Sequence, residues 1–107
     1  MTYGVILDAL GDQTRRAVLR RLSSGERSVA EIADGMPVSR PAVSQHLRVL
    51  KAARLVTDRA DGTRRLYSVD PRGLEVLRSW LDGFWDKTLV AFKNAAEHEA
   101  NKERRRQ

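Results

Sequence analysis

The sequence predicts a mainly helical α+β fold with one two-stranded β-hairpin, and two observations carry this prediction. Apolar residues recur at the three-to-four-residue spacing of amphipathic helices through most of the 107 residues. The stretch "RLVTDRADGTRRLYSV" places two β-prone runs around Asp61-Gly62, a dipeptide typical of a two-residue type I′ turn. A chain of this length is expected to form one domain.

The first half of the chain reads as short helices separated by capping signals. A first apolar stripe begins at Tyr3 and ends at Gly11, and Asp12 is placed to cap a second helix. Ser28 and Glu31 have the spacing of a capping box for a third helix.

A fourth helix follows the third after only "GMPV", which is the arrangement of a helix-turn-helix. We expect it to extend from Ser39, as the N-cap, to Ala52, with Pro41 tolerated in the first turn. A long helix is predicted from Pro71 onward. The order of helices, helix-turn-helix, hairpin and long helix predicts a winged helix-turn-helix with flanking N- and C-terminal helices.

Positive charge is concentrated in one part of the chain. The net charge is +6, and residues 39–69 hold seven Lys or Arg side chains against two Asp. Many basic proteins have no anionic partner, so the total alone is weak evidence. The local excess coincides with the fourth helix and the hairpin, which favours nucleic acid over a membrane surface as the partner.

Several chemistries are not expected. The sequence has no Cys, which removes disulfides, thiolate metal sites and cysteine nucleophiles. It has no Gly-rich phosphate loop, and His46 and His98 are not grouped with Ser and a carboxylate, so we expect no enzyme and no cofactor. No apolar run approaches the ~20 residues of a membrane span, and the N-terminus lacks signal-peptide features. We therefore expect a cytoplasmic protein.

The fourth helix is predicted to have one face for the core and another for a DNA groove. Val43, Leu47 and Leu50 fall in one narrow arc, and polar side chains lie opposite it and on its flanks. An ordinary packing helix also has a polar face, but the tight turn, the hairpin and the charge favour base recognition. The expected DNA contacts on this helix are Ser39, Arg40, Pro41, Ser44, Gln45, Arg48 and Lys51.

His46 falls beside the apolar arc of this helix. Polar residues next to a core usually form local hydrogen bonds. A structural or backbone-contacting role is therefore favoured over base recognition.

The hairpin is expected to contact DNA as a wing. With the two-residue loop given above, Arg59 would face Arg64 and Asp58 would face Arg65. Facing like charges destabilise a sheet by about 0.2–1 kcal/mol, so a phosphate bound between the two arginines is favoured over a solvated turn. The expected wing contacts are Arg59, Thr63, Arg64 and Arg65.

The last helix carries more apolar surface than one small domain can cover, and it includes both Trp residues. An intramolecular core is the simpler interpretation, but large aromatic patches mark partner surfaces. We expect a mixture of the two, with a homodimer interface shared with the first helix. The expected interface residues are Ile6, Leu7, Leu10, Leu77, Trp80, Leu81, Phe84, Trp85, Leu89 and Phe92. The same apolar surface could hold a small-molecule effector of unknown chemistry.

Three stretches, "LGDQTRRAVLRRL", "SVAEIADGMPVSRPAVSQHLRVLKAARLV" and "GTRRLYSVD", resemble the winged-helix ArsR/SmtB family of bacterial transcriptional repressors in order and spacing. The likeness covers about residues 6–70, with Gln13 where many members have proline. The resemblance implies a homodimer that binds an imperfect palindrome in double-stranded DNA and represses transcription. It also implies backbone or minor-groove contacts by the wing and base contacts by the positions that match Arg40, Pro41, Ser44 and Gln45.

The resemblance does not extend to the family's metal sites. Metal-sensing members carry a Cys pair in the helix that here reads "SVAEIAD", or carboxylate and His ligands along the last helix. Asp82 and Asp86 share a helical face, but His98 lies three turns further on, so we expect no metal site. The chain looks like a member of the cysteine-free, non-metal branch.

Taken as a set, these features predict a homodimeric, sequence-specific transcriptional repressor. Residues 1–96 would form its DNA-binding and dimerisation domain, and residues 97–107 a charged, frayed tail. A low-specificity nucleoid-type DNA-binding protein would bind operator and random DNA equally, where a regulator shows a ratio of ~10³ or more. A winged-helix protein-interaction module, the other alternative, would lack steeply salt-dependent DNA binding.

Overall fold

The computed structural model describes residues 3–106, which form helices and one β-hairpin in the predicted order. The elements are α1 (Tyr3–Leu10), α2 (Gln13–Leu22), α3 (Val29–Ala33), α4 (Arg40–Ala52), β1 (Val56–Asp61), β2 (Arg64–Val69) and α5 (Pro71–Arg106). Helices α3 and α4 form the helix-turn-helix, and β1 and β2 form the antiparallel wing. The predicted fold class is confirmed.

The helix starts follow the capping signals in the sequence. Asp12 Oδ1 accepts a hydrogen bond from the backbone N–H of Arg15 at 2.9 Å, and Ser39 Oγ accepts one from an amide of α4 at 3.3 Å. At α3 the Ser28 hydroxyl accepts from the Glu31 amide, and the Glu31 carboxylate accepts from the Ser28 amide. Each cap satisfies an amide that has no partner within its helix and contributes ~1 kcal/mol.

One hydrophobic core joins α1 to α4 with the hairpin. Val43, Leu47 and Leu50 are at most 1% exposed, so the apolar arc predicted for α4 is confirmed. The largest fully buried side chains are Ile6, Val18, Ile32, Val43, Leu47, Leu50, Leu55 and Val56. Burial of each contributes ~1.5–3 kcal/mol. Because three of them belong to α4, the core fixes the direction in which the polar face of α4 points.

The loop of the wing lies one residue further along the chain than predicted. Asp61 pairs with Arg64, so the two loop residues are Gly62 and Thr63, and the Asp61-Gly62 loop was wrong. A type I′ turn at Asp61-Gly62 requires the left-handed conformation at both residues. Here Gly62 has φ of +63° and occupies the first loop position, as in a type II′ turn.

This register separates the side chains that were expected to face each other. Arg59 lies opposite Leu66, so the facing pair of Arg59 and Arg64 is also wrong. Asp58 and Arg65 are diagonal neighbours across the hairpin instead of direct partners. The repulsion that suggested a phosphate between two arginines is therefore absent, and the role of the wing has to be judged from its actual contacts.

Helix α5 starts in close contact with the end of α4. Arg54 has a left-handed φ of +58°, and its carbonyl accepts the amide of Gly73 at 2.9 Å. A Cβ atom at residue 73 would clash with that carbonyl oxygen. Asp70, which is 4% exposed, accepts the Arg72 amide at 3.0 Å and pairs with the Arg72 guanidinium at 2.8 Å. These contacts fix where α5 begins.

Helix α5 is 36 residues long, and the chain divides within it into two compact units, after Leu77. Residues 97–106 are helical, although the sequence analysis expected a frayed tail from residue 97. Most of these residues are Glu, Lys, Arg or Ala, which are strong helix formers. The domain boundary at residue 96 stays a prediction. None of the helices in the described residues combines the length and apolar character that crossing a membrane requires.

Candidate nucleic-acid interface

Helix α4 presents a polar face on the side opposite its buried arc. Pro41, Gln45 and Arg48 are exposed, Ser44 is half-buried, and Lys51 is exposed in the last turn. The face thus combines an amide that can donate and accept with a hydroxyl and two cations. These groups can read base edges and bind phosphates in a major groove.

The first turn of α4 contributes one free cation and one occupied hydroxyl. The Ser39 hydroxyl is used in capping the helix. Arg40 is exposed, and within residues 3–106 its guanidinium has no hydrogen bond or ion pair; the same is true of Arg48. Both guanidinium groups can therefore bind an anion without giving up a protein partner.

His46 is half-buried on α4 and lies near the start of α2. The pKa of Asp12 is lowered, mainly by the hydrogen bond from the Arg15 amide and to a smaller degree by the positive charge that His46 can carry. His46 therefore lies beside the N-cap of α2. The local role favoured by the sequence stays a prediction.

Two arginines of the wing are held by exposed carboxylates. Arg59 forms two parallel hydrogen bonds to Glu26, with Nε to Oε2 at 3.0 Å and Nη2 to Oε1 at 2.6 Å. Arg64 pairs with Asp61 at 3.3 Å and with Glu31 at 3.4 Å. The three carboxylate side chains are between 40% and 47% exposed. A phosphate approaching either arginine would therefore also meet a carboxylate.

The third wing arginine shares a buried carboxylate with α4. Asp58 binds Lys51 Nζ through Oδ1 at 2.6 Å and Arg65 Nη1 through Oδ2 at 3.3 Å. The Asp58 side chain is 8% exposed, whereas those of Lys51 and Arg65 are 55% and 58% exposed. Thr63, also predicted to contact DNA, is exposed in the hairpin loop without a role in this cluster. The cluster ties the end of α4 to the wing.

Two carboxyl groups beside the wing, those of Glu26 and Glu31, have pKa values below the ordinary value. The hydrogen bonds from Arg59 lower the pKa of Glu26, and those from the Ser28 amide and hydroxyl lower the pKa of Glu31. Glu26 raises the pKa of Arg59 in turn. Neither glutamate could be predicted as a wing partner from the sequence, because each lies 33 positions from its arginine. The capping spacing fixed the place of Glu31 but gave no indication of Arg64.

Comparison with known proteins places this geometry in a family. A helix-turn-helix domain family matches residues 10–59. The HTH-type transcriptional regulator Rv2034 of Mycobacterium tuberculosis is 54% identical over 93 residues, which cover 87% of each chain. The chain belongs to the ArsR/SmtB family of winged helix-turn-helix transcriptional regulators. The resemblance stated from the sequence is confirmed.

Two further proteins similar to this ArsR/SmtB-family chain are a transcriptional repressor and a homodimeric DNA-binding domain. The transcriptional repressor SdpR of Bacillus subtilis is 32% identical over 82 residues, covering 77% of this chain and 91% of SdpR. A homodimeric winged helix-turn-helix DNA-binding domain from Mycobacterium bovis, described as a possible ArsR-family regulator, is 28% identical. Its solution structure superposes with a TM-score of 0.63 and covers 78% of each chain. The winged fold of this chain is thus that of the family.

Most of the apolar residues predicted for a dimer interface are at least partly exposed to solvent in this ArsR/SmtB-family chain. Ile6 is the exception, because it is fully buried in the core of one chain and has no surface for a partner. Leu10 and Leu77 are half-buried and pack on the core. Trp80 is half-buried and stacks on Phe84 at a ring-centroid distance of 5.8 Å. The exposed members are Leu7, Leu81, Phe84, Trp85, Leu89 and Phe92.

The side chains that the family uses to bind metal are not assembled in this member. Across the described residues, no three His, Asp or Glu side chains come together in a way that could hold a metal ion. The sequence lacks the thiolate ligands outright, because it contains no Cys. We derive no metal chemistry from this chain.

Proposed function

We propose that the protein is a homodimeric, sequence-specific DNA-binding transcriptional repressor. The observation that carries the proposal is the outward face of α4, where Gln45 is exposed between Arg40 and Arg48, two cations with no protein partner among residues 3–106. The α4 helix would enter the major groove, and the wing would follow the backbone beside it. Repression is proposed because the relative SdpR is a transcriptional repressor.

A twofold-symmetric operator follows from the proposed homodimer. The related domain from Mycobacterium bovis is homodimeric. In the second unit of the present chain, six apolar side chains are 46–74% exposed: Leu81, Phe84, Trp85, Leu89, Val90 and Phe92. A second copy would remove this surface from water, and a symmetric dimer binds two half-sites that form an imperfect palindrome.

The family and the site chemistry support regulation over catalysis. The candidate groups are cations, an amide and a hydroxyl arranged along a helix face, which suits recognition of a duplex and supplies no paired acid and base. A cytoplasmic location follows from the proposal, because the protein would have to reach an operator in the DNA of its own cell.

Selection from a pool of random duplexes tests the proposed function. The full-length protein is mixed with duplexes carrying a 30-base-pair random segment, and the bound fraction is sequenced over several rounds. We expect an enriched imperfect palindrome, bound ~10³-fold or more tightly than a scrambled duplex of the same composition. Reporter transcription placed behind the enriched site should fall when the protein is expressed.

Two results would contradict this proposal in different ways. Enrichment of no sequence despite tight, salt-sensitive binding would indicate a nucleoid-type protein. Absence of salt-dependent DNA binding would indicate a protein-interaction module.

A further inference from the structure

We propose that Lys51 and Arg65 form a single binding site for one backbone phosphate of duplex DNA, and that Asp58 is the residue that positions them. The inference rests on the proposed function and adds to it a specific anchor at the junction of α4 and the wing. It assigns the main phosphate contact of the wing to Arg65 instead of Arg59 or Arg64.

The geometry brings the two cations within reach of one phosphate. Lys51 Nζ and Arg65 Nη1 bind the two oxygens of the same carboxylate, at 2.6 Å and 3.3 Å. The two nitrogen atoms therefore lie at most about 8 Å apart, which is the span of a phosphate whose oxygens contact two donors at about 2.8 Å each. Lys51 and Arg65 retain further N–H donors that Asp58 does not use.

Burial of Asp58 separates this cluster from the other wing ion pairs. The Asp58 side chain is 8% exposed and lies beneath two cations that are more than half exposed. An approaching phosphate meets the cations, and the cluster carries one net positive charge. Glu26, Glu31 and Asp61 are five or more times as exposed as Asp58, and they accompany Arg59 and Arg64. Arg59 with Glu26 is a neutral pair, and Arg64 with Asp61 and Glu31 carries one net negative charge, so each arginine presents a phosphate with a nearby repulsive carboxylate.

The salt dependence of DNA affinity reports how many phosphates the protein neutralises. It can therefore distinguish a shared phosphate site from two separate ones. Each phosphate neutralised contributes about −0.9 to the slope of log affinity against log salt. In a homodimer each contact occurs twice, so two cations that share one phosphate contribute a slope of about 1.8 in magnitude, whereas two cations on separate phosphates contribute about 3.6. The shared site therefore predicts that removing both cations reduces the salt slope by half as much as removing two independent phosphate contacts would.

Slopes are measured for wild type, Lys51→Met, Arg65→Met and the double variant, on the selected palindrome and on its scrambled counterpart. We expect the double variant to lose about 1.8 of slope on both duplexes, one phosphate in each protomer of the homodimer, since phosphate contacts do not depend on sequence. Arg40→Met with Arg48→Met is the control pair. These residues lie eight positions apart, about 12 Å along the helix, so they cannot share a phosphate and should lose about 3.6 across the two protomers.

A loss of about 3.6 in the Lys51 and Arg65 double variant would overturn the shared site. An unchanged slope would overturn it as well, because neither cation would then contact phosphate. A wild-type slope near zero would overturn the proposed function, and this inference with it. Because the double variant leaves Asp58 unpaired, a triple variant that also carries Asp58→Asn keeps the test valid if the double variant fails to fold.

The role of Asp58 is tested by whether Asp58→Asn weakens or strengthens DNA binding. Asp58→Asn makes the protein more positive, which by charge alone strengthens DNA binding. Loss of the positioning group should instead weaken binding at 0.1 M salt by up to about sixtyfold, the factor that two phosphate contacts, one in each protomer, add on going from 1 M to 0.1 M salt. Asp61→Asn adds the same charge on the same strand and should not weaken binding. Equal or tighter binding by Asp58→Asn would overturn the positioning role.

Discussion

Gln45 is the side chain on α4 best suited to distinguish one base from another. It is exposed on the polar face, and a glutamine amide can pair with adenine through two hydrogen bonds. We expect Gln45→Ala to cost ~1–3 kcal/mol on the selected palindrome and to leave affinity for scrambled DNA nearly unchanged. Titration of both duplexes at one salt concentration measures this difference.

Gln13→Ala is the matched control for that substitution. Gln13 is also exposed, but it begins α2 and lies outside the proposed groove-facing surface. It should leave both affinities unchanged. Equal losses on the two duplexes for Gln45→Ala would mean that this part of α4 contacts the backbone and reads no bases.

Asp70 makes the stability of the fold depend on pH. The hydrogen bonds from Arg72 lower the pKa of the buried Asp70 carboxyl below its ordinary value. A lowered pKa in the folded state stabilises the protein above the pKa of the unfolded chain, and this contribution is lost as the pH falls through the folded-state pKa. We expect Asp70→Asn to lower the free energy of unfolding at pH 7 by about 1–2 kcal/mol.

Thermal unfolding from pH 7 to pH 2.5 tests this prediction. The difference in Tm between wild type and Asp70→Asn should be largest at neutral pH and shrink below about pH 4. Asp86→Asn removes an exposed carboxylate from α5, the helix that begins directly after Asp70, and should shift Tm little at any pH. A difference in Tm that is constant with pH would show that the Asp70 charge does not contribute.

At the scale of elements, the start of α5 depends on the absence of a side chain. A Cβ at residue 73 would clash with the Arg54 carbonyl, whereas a Cβ at residue 83 would meet nothing within 4 Å. We expect Gly73→Ala to destabilise the protein by about 1–3 kcal/mol, because α5 or the turn at Arg54 must shift. Gly83→Ala, in the same helix, should instead stabilise it by about 0.5–1 kcal/mol.

Denaturant unfolding of the two variants beside wild type measures both effects. Opposite signs are the expected result, since the two substitutions differ only in what surrounds the added methyl group. A Gly73→Ala variant as stable as Gly83→Ala would show that the contact between α5 and the Arg54 carbonyl is adjustable.

The elements could be predicted from the sequence wherever their determinants lie within about four residues. Asp12, Ser28 and Ser39 cap their helices through bonds to amides three positions away, and each cap was predicted. The hairpin itself was predicted, but its register was not. Asp61-Gly62 and Gly62-Thr63 both contain a glycine that can supply a positive φ, and the pairing of the whole strands decides between them.

In the candidate site, too, the features set by nearby residues could be predicted from the sequence and those set by long-range contacts could not. The faces of α4 follow from helical period alone, so Gln45 and Arg48 were placed correctly on its exposed side. The ion pairs of the wing depend on tertiary placement. Glu26 reaches Arg59 only because the Arg27 backbone pairs with Tyr67 on β2, and no local pattern records a contact between residues 33 positions apart.

At the scale of the whole molecule, assembly is expected to depend on the exposed apolar side chains of α5. Trp85 and Phe92 are 59% and 74% exposed. We expect sedimentation of the wild type at micromolar concentration to give twice the chain mass of 12.1 kDa. Trp85→Glu should give the single-chain mass, because burying an unpaired carboxylate in an apolar interface costs several kcal/mol.

Lys87→Glu is the matched control, since residue 87 lies on the opposite side of the helix from residue 85. It should sediment as the wild type does. Far-UV circular dichroism should show the same helix content in both variants. A wild type with the single-chain mass that still binds the full palindrome tightly would contradict the proposed assembly.

The distribution of aromatic residues also gives the protein a built-in optical reporter. Its two Trp residues both belong to α5, beyond Leu77, and neither α4 nor the hairpin contains one. Trp85 is largely accessible to water in the single chain, so its emission should move to shorter wavelength when a second chain covers it. DNA bound by α4 and the wing would leave that emission maximum in place. Intrinsic fluorescence can therefore follow pairing of the chains without labels, while the anisotropy of a dye-labelled duplex follows DNA binding in the same cuvette.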